Sequence, residues 1–187
     1  MSEFRRRLFF HSAVNVLPNG YRRVSAIYST NVTALRLKNF GSGFEVDMQV
    51  RNISQTSNTE IIAGYSQAAT AWFGYKNKQL SVGGIDDIDV DTSNILSVQV
   101  RFNTGEITLR CNDVEISRKA NDVKSQVFNL FSHEEMYSSR CAIYSFKVRK
   151  EQVLFEGIPC VNELGDVGMY DTIGGIFYTT KYLAYIE

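Results

Sequence analysis

Two prolines, three cysteines and two histidines among 187 residues leave little room for several kinds of chemistry. Cys111, Cys141 and Cys160 lack the close pairing of a zinc ribbon or a redox motif, and an odd number leaves one over if two pair. Cys111 and Cys141 fall at apolar positions of alternating segments, so buried free thiols are expected, in keeping with assembly in a reducing cytoplasm. His11 and His133 stand far apart with no Cys or His at ligand spacing, which argues against zinc. No apolar run approaches the roughly 20 residues that cross a bilayer. The short apolar patch behind Arg5-Arg6-Arg7 falls well below the roughly 7–15 residues of a secretory h-region, so a soluble chain without a signal peptide is expected. Lys+Arg 20 against Asp+Glu 20 gives zero net charge, hence no global field to draw in nucleic acid or an anionic membrane.

Also missing is any segment that holds a 3.6-residue apolar period for three turns. Period-two alternation takes its place. Phe44-Glu45-Val46-Asp47-Met48-Gln49-Val50-Arg51 is the cleanest case, apolar at every even position and polar at every odd one. Leu96 to Phe102 and Ile107 to Cys111 alternate around Thr104-Gly105-Glu106 and read as a hairpin. Further short strands are expected at Val24–Tyr28, Leu35–Leu37, Ile61–Tyr65, Ala71–Tyr75, Leu80–Val82, Val114–Ile116, Val127–Phe131 and Ala142–Lys150, the last alternating from Tyr144 onward, with Asp86–Asp91 as an acidic loop. Leu17-Pro18-Asn19-Gly20-Tyr21 is a turn. With 44% hydrophobic and 12% aromatic residues, the chain has enough apolar surface for one core. The expected fold is all-β, a two-sheet antiparallel jelly-roll sandwich over residues 17–187, preceded by an arm at 1–16.

Two stretches bracket that domain. Leu17-Pro18-Asn19-Gly20-Tyr21-Arg22-Arg23-Val24 opens it, and Ile158-Pro159-Cys160 through Gly168-Met169-Tyr170-Asp171 to Phe177-Tyr178 closes it. Together they resemble the opening and closing signatures of concanavalin A-like (laminin-G-like) lectin/glucanase jelly-roll domains, of the kind found in gut Bacteroidetes and bacteriophage structural proteins. The resemblance implies a pair of curved antiparallel sheets and a place on a virion or cell surface. It gives the fold more firmly than the role.

The same fold hosts β-glucanases that carry Glu-x-Asp-x-x-Glu on one strand. Glu45-Val46-Asp47 begins that pattern, but Val50 occupies the third position, so Glu45 and Asp47 read as the wet face of a strand. Ser132-His133-Glu134 has the letters of a triad but reads as a loop. Gly83-Gly84 has neither the Lys-Ser/Thr pair nor the helix of a phosphate cradle. No catalytic residue is assigned. Asp87, Asp89 and Asp91 form a weak calcium candidate without an EF-hand's glycine or terminal Glu. Tyr65, Trp72 and Tyr75 are the candidate sugar-stacking rings, with core packing as the competing account.

The leading expectation is a non-enzymatic bacteriophage virion structural protein, capsid-decorating or tail-associated, assembled in the host cytoplasm. Its arm, with Arg5, Arg6 and Arg7, would dock on other virion proteins, and host glycans would be a further ligand. The alternative is a carbohydrate-binding module of a bacterial cell-surface protein. Neither involves nucleic acid or a membrane, and both are compatible with a homo-oligomer.

Overall fold

The computed structural model describes residues 16–31, 33–54, 59–65, 71–83, 86–119, 127–132 and 139–187. In chain order the strands are β1 (Tyr21–Arg23), β2 (Ala26–Ser29), β3 (Leu35–Arg36), β4 (Phe44–Asn52), β5 (Thr59–Tyr65) and β6 (Trp72–Lys76). There follow β7 (Gln79–Val82), β8 (Asp86–Ile88), β9 (Leu96–Asn103), β10 (Glu106–Cys111), β11 (Val114–Lys119) and β12 (Phe128–Leu130). The chain closes with β13 (Cys141–Arg149), β14 (Val153–Asn162), β15 (Val167–Asp171), β16 (Ile176–Thr179) and β17 (Leu183–Ile186). Among the described residues there is no helix.

All pairings are antiparallel. The larger sheet runs β11-β10-β9-β4-β13-β14-β15-β16, with β1 on β14 and the β2–β17 pair on β13. The smaller runs β3-β12-β5-β6-β7-β8. The protein is thus a two-sheet antiparallel β-sandwich, as the alternation implies. In β4 the even residues Phe44, Val46, Met48 and Val50 are buried while the odd ones reach solvent. The β9–β10 hairpin turns at Gly105, whose φ of +77° suits a residue without a Cβ. The opening turn closes with Tyr21 N–H donating to Pro18 O at 3.2 Å.

The core lies between the sheets and centres on a nest of rings. Phe128 of the smaller sheet meets Tyr65, Phe44, Phe102 and Phe146 with centroids 5.3–6.1 Å away. All three cysteines are free and buried. Burial raises each thiol, Cys141 to about 12 and Cys160 to about 11.

Two local expectations need correction. Asp86–Ile88, read as part of a loop, adds a strand beside β7 because Ile88 is an apolar residue that the core buries. Alternation counted from Tyr144 puts that ring in phase with core-facing Phe146 and Val148, whereas the strand, which starts at Cys141, turns it to the groove. A bulge between Ile143 and Ser145 inserts Tyr144 and shifts the phase of the strand.

Candidate functional site

The odd-numbered side chains that β4 turns away from the core stand opposite partners on neighbouring strands. Cross-strand register places Arg110, Gln99, Asp47, Lys147 and Glu156 in one row across β10, β9, β4, β13 and β14. A second row beside it runs Arg101, Glu45, Arg149. Directly opposed side chains on one face are close enough to interact, so each row is a ladder of polar contacts.

The ladder is well connected. Gln99 Nε2 donates to Glu45 Oε1 at 2.7 Å and to Asp47 Oδ1 at 3.1 Å. Arg101 Nε reaches Glu45 Oε2 at 2.8 Å, and Arg149 Nε reaches Glu45 Oε1 at 3.0 Å and Asp47 Oδ2 at 3.3 Å. Lys147 Nζ lies 2.7 Å from Glu156 Oε1. Partial burial alone would raise the Glu45 carboxyl, but hydrogen bonds from Arg101 and Arg149 outweigh it and hold the group below its usual range.

Over these rows lies an open groove of about 740 Å³. Its floor and walls carry Asp47, Gln49, Ser97, Gln99, Lys147, Arg149 and Glu156, with Arg110 and Asn112 toward one side and Ile158, Pro159 and Arg23 toward the other. At about 4.8 Å per strand spacing, the four spacings from β10 to β14 span roughly 19 Å. The bulge in β13 presents both Tyr144 and Ser145 to this groove. Tyr144 is half-buried, its ring 5.9 Å from the Arg51 guanidinium carbon. Beyond β14 on the same face, Tyr21, Tyr170 and Phe177 form a half-buried ring cluster with centroids 5.2–5.4 Å apart.

The stacking candidates taken from the sequence do not form a platform. Tyr65 and Tyr75 are wholly buried and belong to the core, Tyr65 donating its hydroxyl to Gly41 O at 2.5 Å. Trp72 alternates with core-facing Phe73 and so lies on the other face of the smaller sheet, yet only 7% of it is exposed. Burial withholds all three rings from a ligand. Arg5, Arg6 and Arg7, together with His11 and His133, lie outside the described residues, as does the Asp87 side chain. Asp89 is exposed. Asp91 spends its carboxylate on its own turn, accepting from Ser93 N at 3.0 Å, Ser93 Oγ at 2.6 Å and Asn94 Nδ2 at 2.9 Å. Those Ser93 bonds hold its pKa below the usual range. Among the described residues no three Asp, Glu, His or Cys side chains gather as a metal cluster.

Glu45 and Asp47 stand on the outer face of β4, as read from the alternation, with Asp47 in the groove and Glu45 beside it. What sequence reasoning missed is their company. The strand bearing them continues to Gln49 on the same face, and each carboxylate is tied to a guanidinium. The closing signature is structural. Met169 fills the core, and buried Asp171 accepts from Glu156 N at 3.2 Å and Ile173 N at 3.1 Å to hold the turn before β16.

The sequence matches no family model and no curated protein. Among solved structures, the chain is similar to domain 4 of AbnA, an extracellular GH43 arabinanase from Geobacillus stearothermophilus, in complex with arabinotriose. The TM-score is 0.47 at 16% identity, over 67% of this chain and 70% of that one.

Proposed function

We propose that this protein is a non-catalytic carbohydrate-binding module of the concanavalin A-like kind, and that it holds an oligosaccharide in the groove on the outer face of its larger sheet. The observation that carries the reading is the groove itself, about 740 Å³, open and floored by amide, carboxylate, ammonium and guanidinium groups. Sugar hydroxyls are paired donors and acceptors, and such side chains meet them with two-point hydrogen bonds. Tyr144, half-buried at the bulge, adds an apolar facet on which a pyranose ring rests.

The same groups speak against hydrolysis. A retaining glycosidase needs a carboxyl in apolar surroundings that keeps its proton, beside a second one that stays ionised. Here the carboxylates stand among cations, Glu45 between Arg101 and Arg149, Asp47 beside Arg149, Glu156 beside Lys147. Residue 49, the next on that face, is an amide. Such a module works at a bacterial cell surface or outside the cell. The docking arm of the virion reading lies outside the described residues, and the groove supports the module more directly.

The test is a polysaccharide panel read by calorimetry, with reducing-sugar release measured in parallel. Saturable binding that Tyr144→Ala and Gln99→Ala weaken, with no sugar released, is the expected result. Binding unaffected by both substitutions overturns the placement of the site. Release of sugar overturns the non-catalytic reading.

A further inference from the structure

We infer that the groove is built for an acidic glycan, one whose uronic-acid carboxylates are held by Arg110 at one side and Arg23 at the other. This inference rests on the carbohydrate-binding reading and adds the class of sugar.

Charge bookkeeping within the groove carries the argument. Four cations line it, Arg23, Arg110, Lys147 and Arg149, against two carboxylates, Asp47 and Glu156. Both carboxylates are engaged inside the groove, Asp47 with Arg149 at 3.3 Å and Glu156 with Lys147 at 2.7 Å. Glu45, next to them, accepts from Arg149 as well and from Arg101. Arg23 and Arg110 remain. Both are exposed, and neither has an ion-pair or hydrogen-bond partner among the described residues. Glu115 is the cross-strand neighbour of Arg110, yet the two form no ion pair.

The placement of these two arginines matches a chain-like ligand. Arg110 heads the row that continues through Gln99, Asp47 and Lys147 to Glu156. Arg23 projects from β1 opposite Cys160, two residues along β14 from groove-lining Ile158. A guanidinium offers a planar pair of donors that fits a carboxylate bidentately, which a point-like ammonium does not. An acidic sugar at either side would complete an arginine that the protein leaves open, while the hydroxyls of the rings between meet the polar floor. A neutral glycan has no group of that kind to offer.

The experiment compares polygalacturonate with its fully methyl-esterified form, the same backbone without the charge, by calorimetry on the full chain. Tight binding of polygalacturonate and at least tenfold weaker binding of the ester are expected. Arg110→Ala and Arg23→Ala should each weaken polygalacturonate by roughly three- to tenfold and leave the ester unchanged. Arg110→Lys should recover only part of the loss. Both side chains are exposed and unpaired, so circular dichroism should show an intact fold. Equal binding of the two polymers, or of neutral glycans alone, overturns this inference and leaves the carbohydrate-binding reading standing. No binding to any glycan overturns both. A single-stranded oligonucleotide that binds the groove as tightly as polygalacturonate would show that the arginines select charge alone, and it would overturn the glycan assignment.

Discussion

Phe128→Ala should be the most damaging single side-chain truncation in the core. β12 is only three residues long, yet Phe128 on it is wholly buried and reaches across the sandwich. Its ring meets Phe44 at 5.8 Å, Phe102 at 5.3 Å and Phe146 at 6.1 Å on the larger sheet, Tyr65 at 5.3 Å on its own, and Phe40 at 5.7 Å in the connection between them. Phe→Ala in such a site costs about 3–5 kcal/mol through lost transfer energy and the cavity left behind. Four of the five contacts are edge-to-face, a geometry worth about 0.5–1.5 kcal/mol per pair beyond area. The loss should therefore fall in the upper part of that range, about 4–5 kcal/mol, a large share of the ~5–15 kcal/mol by which a domain is stable. At roughly 2–4 °C per kcal/mol for a chain of this size, Tm should fall by about 8–20 °C. Urea unfolding followed by near-ultraviolet circular dichroism reads the change. If the Ala variant does not fold, Phe128→Leu keeps most of the volume and should cost about 1–2 kcal/mol. An Ala variant within about 1 kcal/mol of the parent at unchanged m-value, or a Leu variant with no loss at all, would refute the claim that this ring fastens the two sheets.

Two further outcomes follow from the geometry. Gly74→Ala should cost more than about 3 kcal/mol or prevent folding, because its Cβ would stand 2.0 Å from the Glu60 carbonyl oxygen and 2.9 Å from Ile61 Cα at the β5 bulge; a parental Tm would show that the β5–β6 approach is looser. Glu45 has a folded-state pKa below its unfolded value, so its contribution is present above the ordinary carboxylate pKa and is lost as pH falls through the depressed one. Between pH 6 and 3 the parent should therefore lose about 1 kcal/mol more than Glu45→Gln in urea titrations, and equal losses would contradict the pairing with Arg101 and Arg149.

Most of the sandwich is legible in the chain because strand alternation is a local signal. Phe44 to Val50 declares its core face one residue at a time, and the Leu96–Cys111 hairpin needs only its turn and two flanking patterns. Legibility fails where a non-local partner decides the outcome. Ile88 sits among four aspartates at positions 86, 87, 89 and 91, and polarity outweighs it locally, yet β7 is there to pair with it and the core to bury it. Tyr144 fails for a different reason. Its bulge is defined by the registers with Val50 on one side and Gln49 on the other, so no count along β13 alone can show that the ring turns outward. Tyr65 and Tyr75 fail in the opposite sense, since a ring is as useful to a core as to a sugar and residue type alone does not choose.

The groove was the hardest feature to read, and zero net charge is the reason. A chain with 20 cationic and 20 anionic residues has no long-range field, which rules out steering of a polyanion from a distance. Screening, however, confines charge effects to about 8–10 Å at ordinary ionic strength, so what a ligand feels on contact is set by the few groups within that radius. In the groove those groups come from β1, β4, β9, β10, β13 and β14, and the pairing of these strands fixes which charges cancel. Asp47, Glu156 and Glu45 are engaged by Lys147, Arg149 and Arg101, so the cations left over are Arg23 and Arg110, which form no ion pair among the described residues. A balanced composition and a local excess of unpaired cations are therefore compatible. Sheet register, which places like and unlike charges side by side, determines the second, and only the folded chain supplies it.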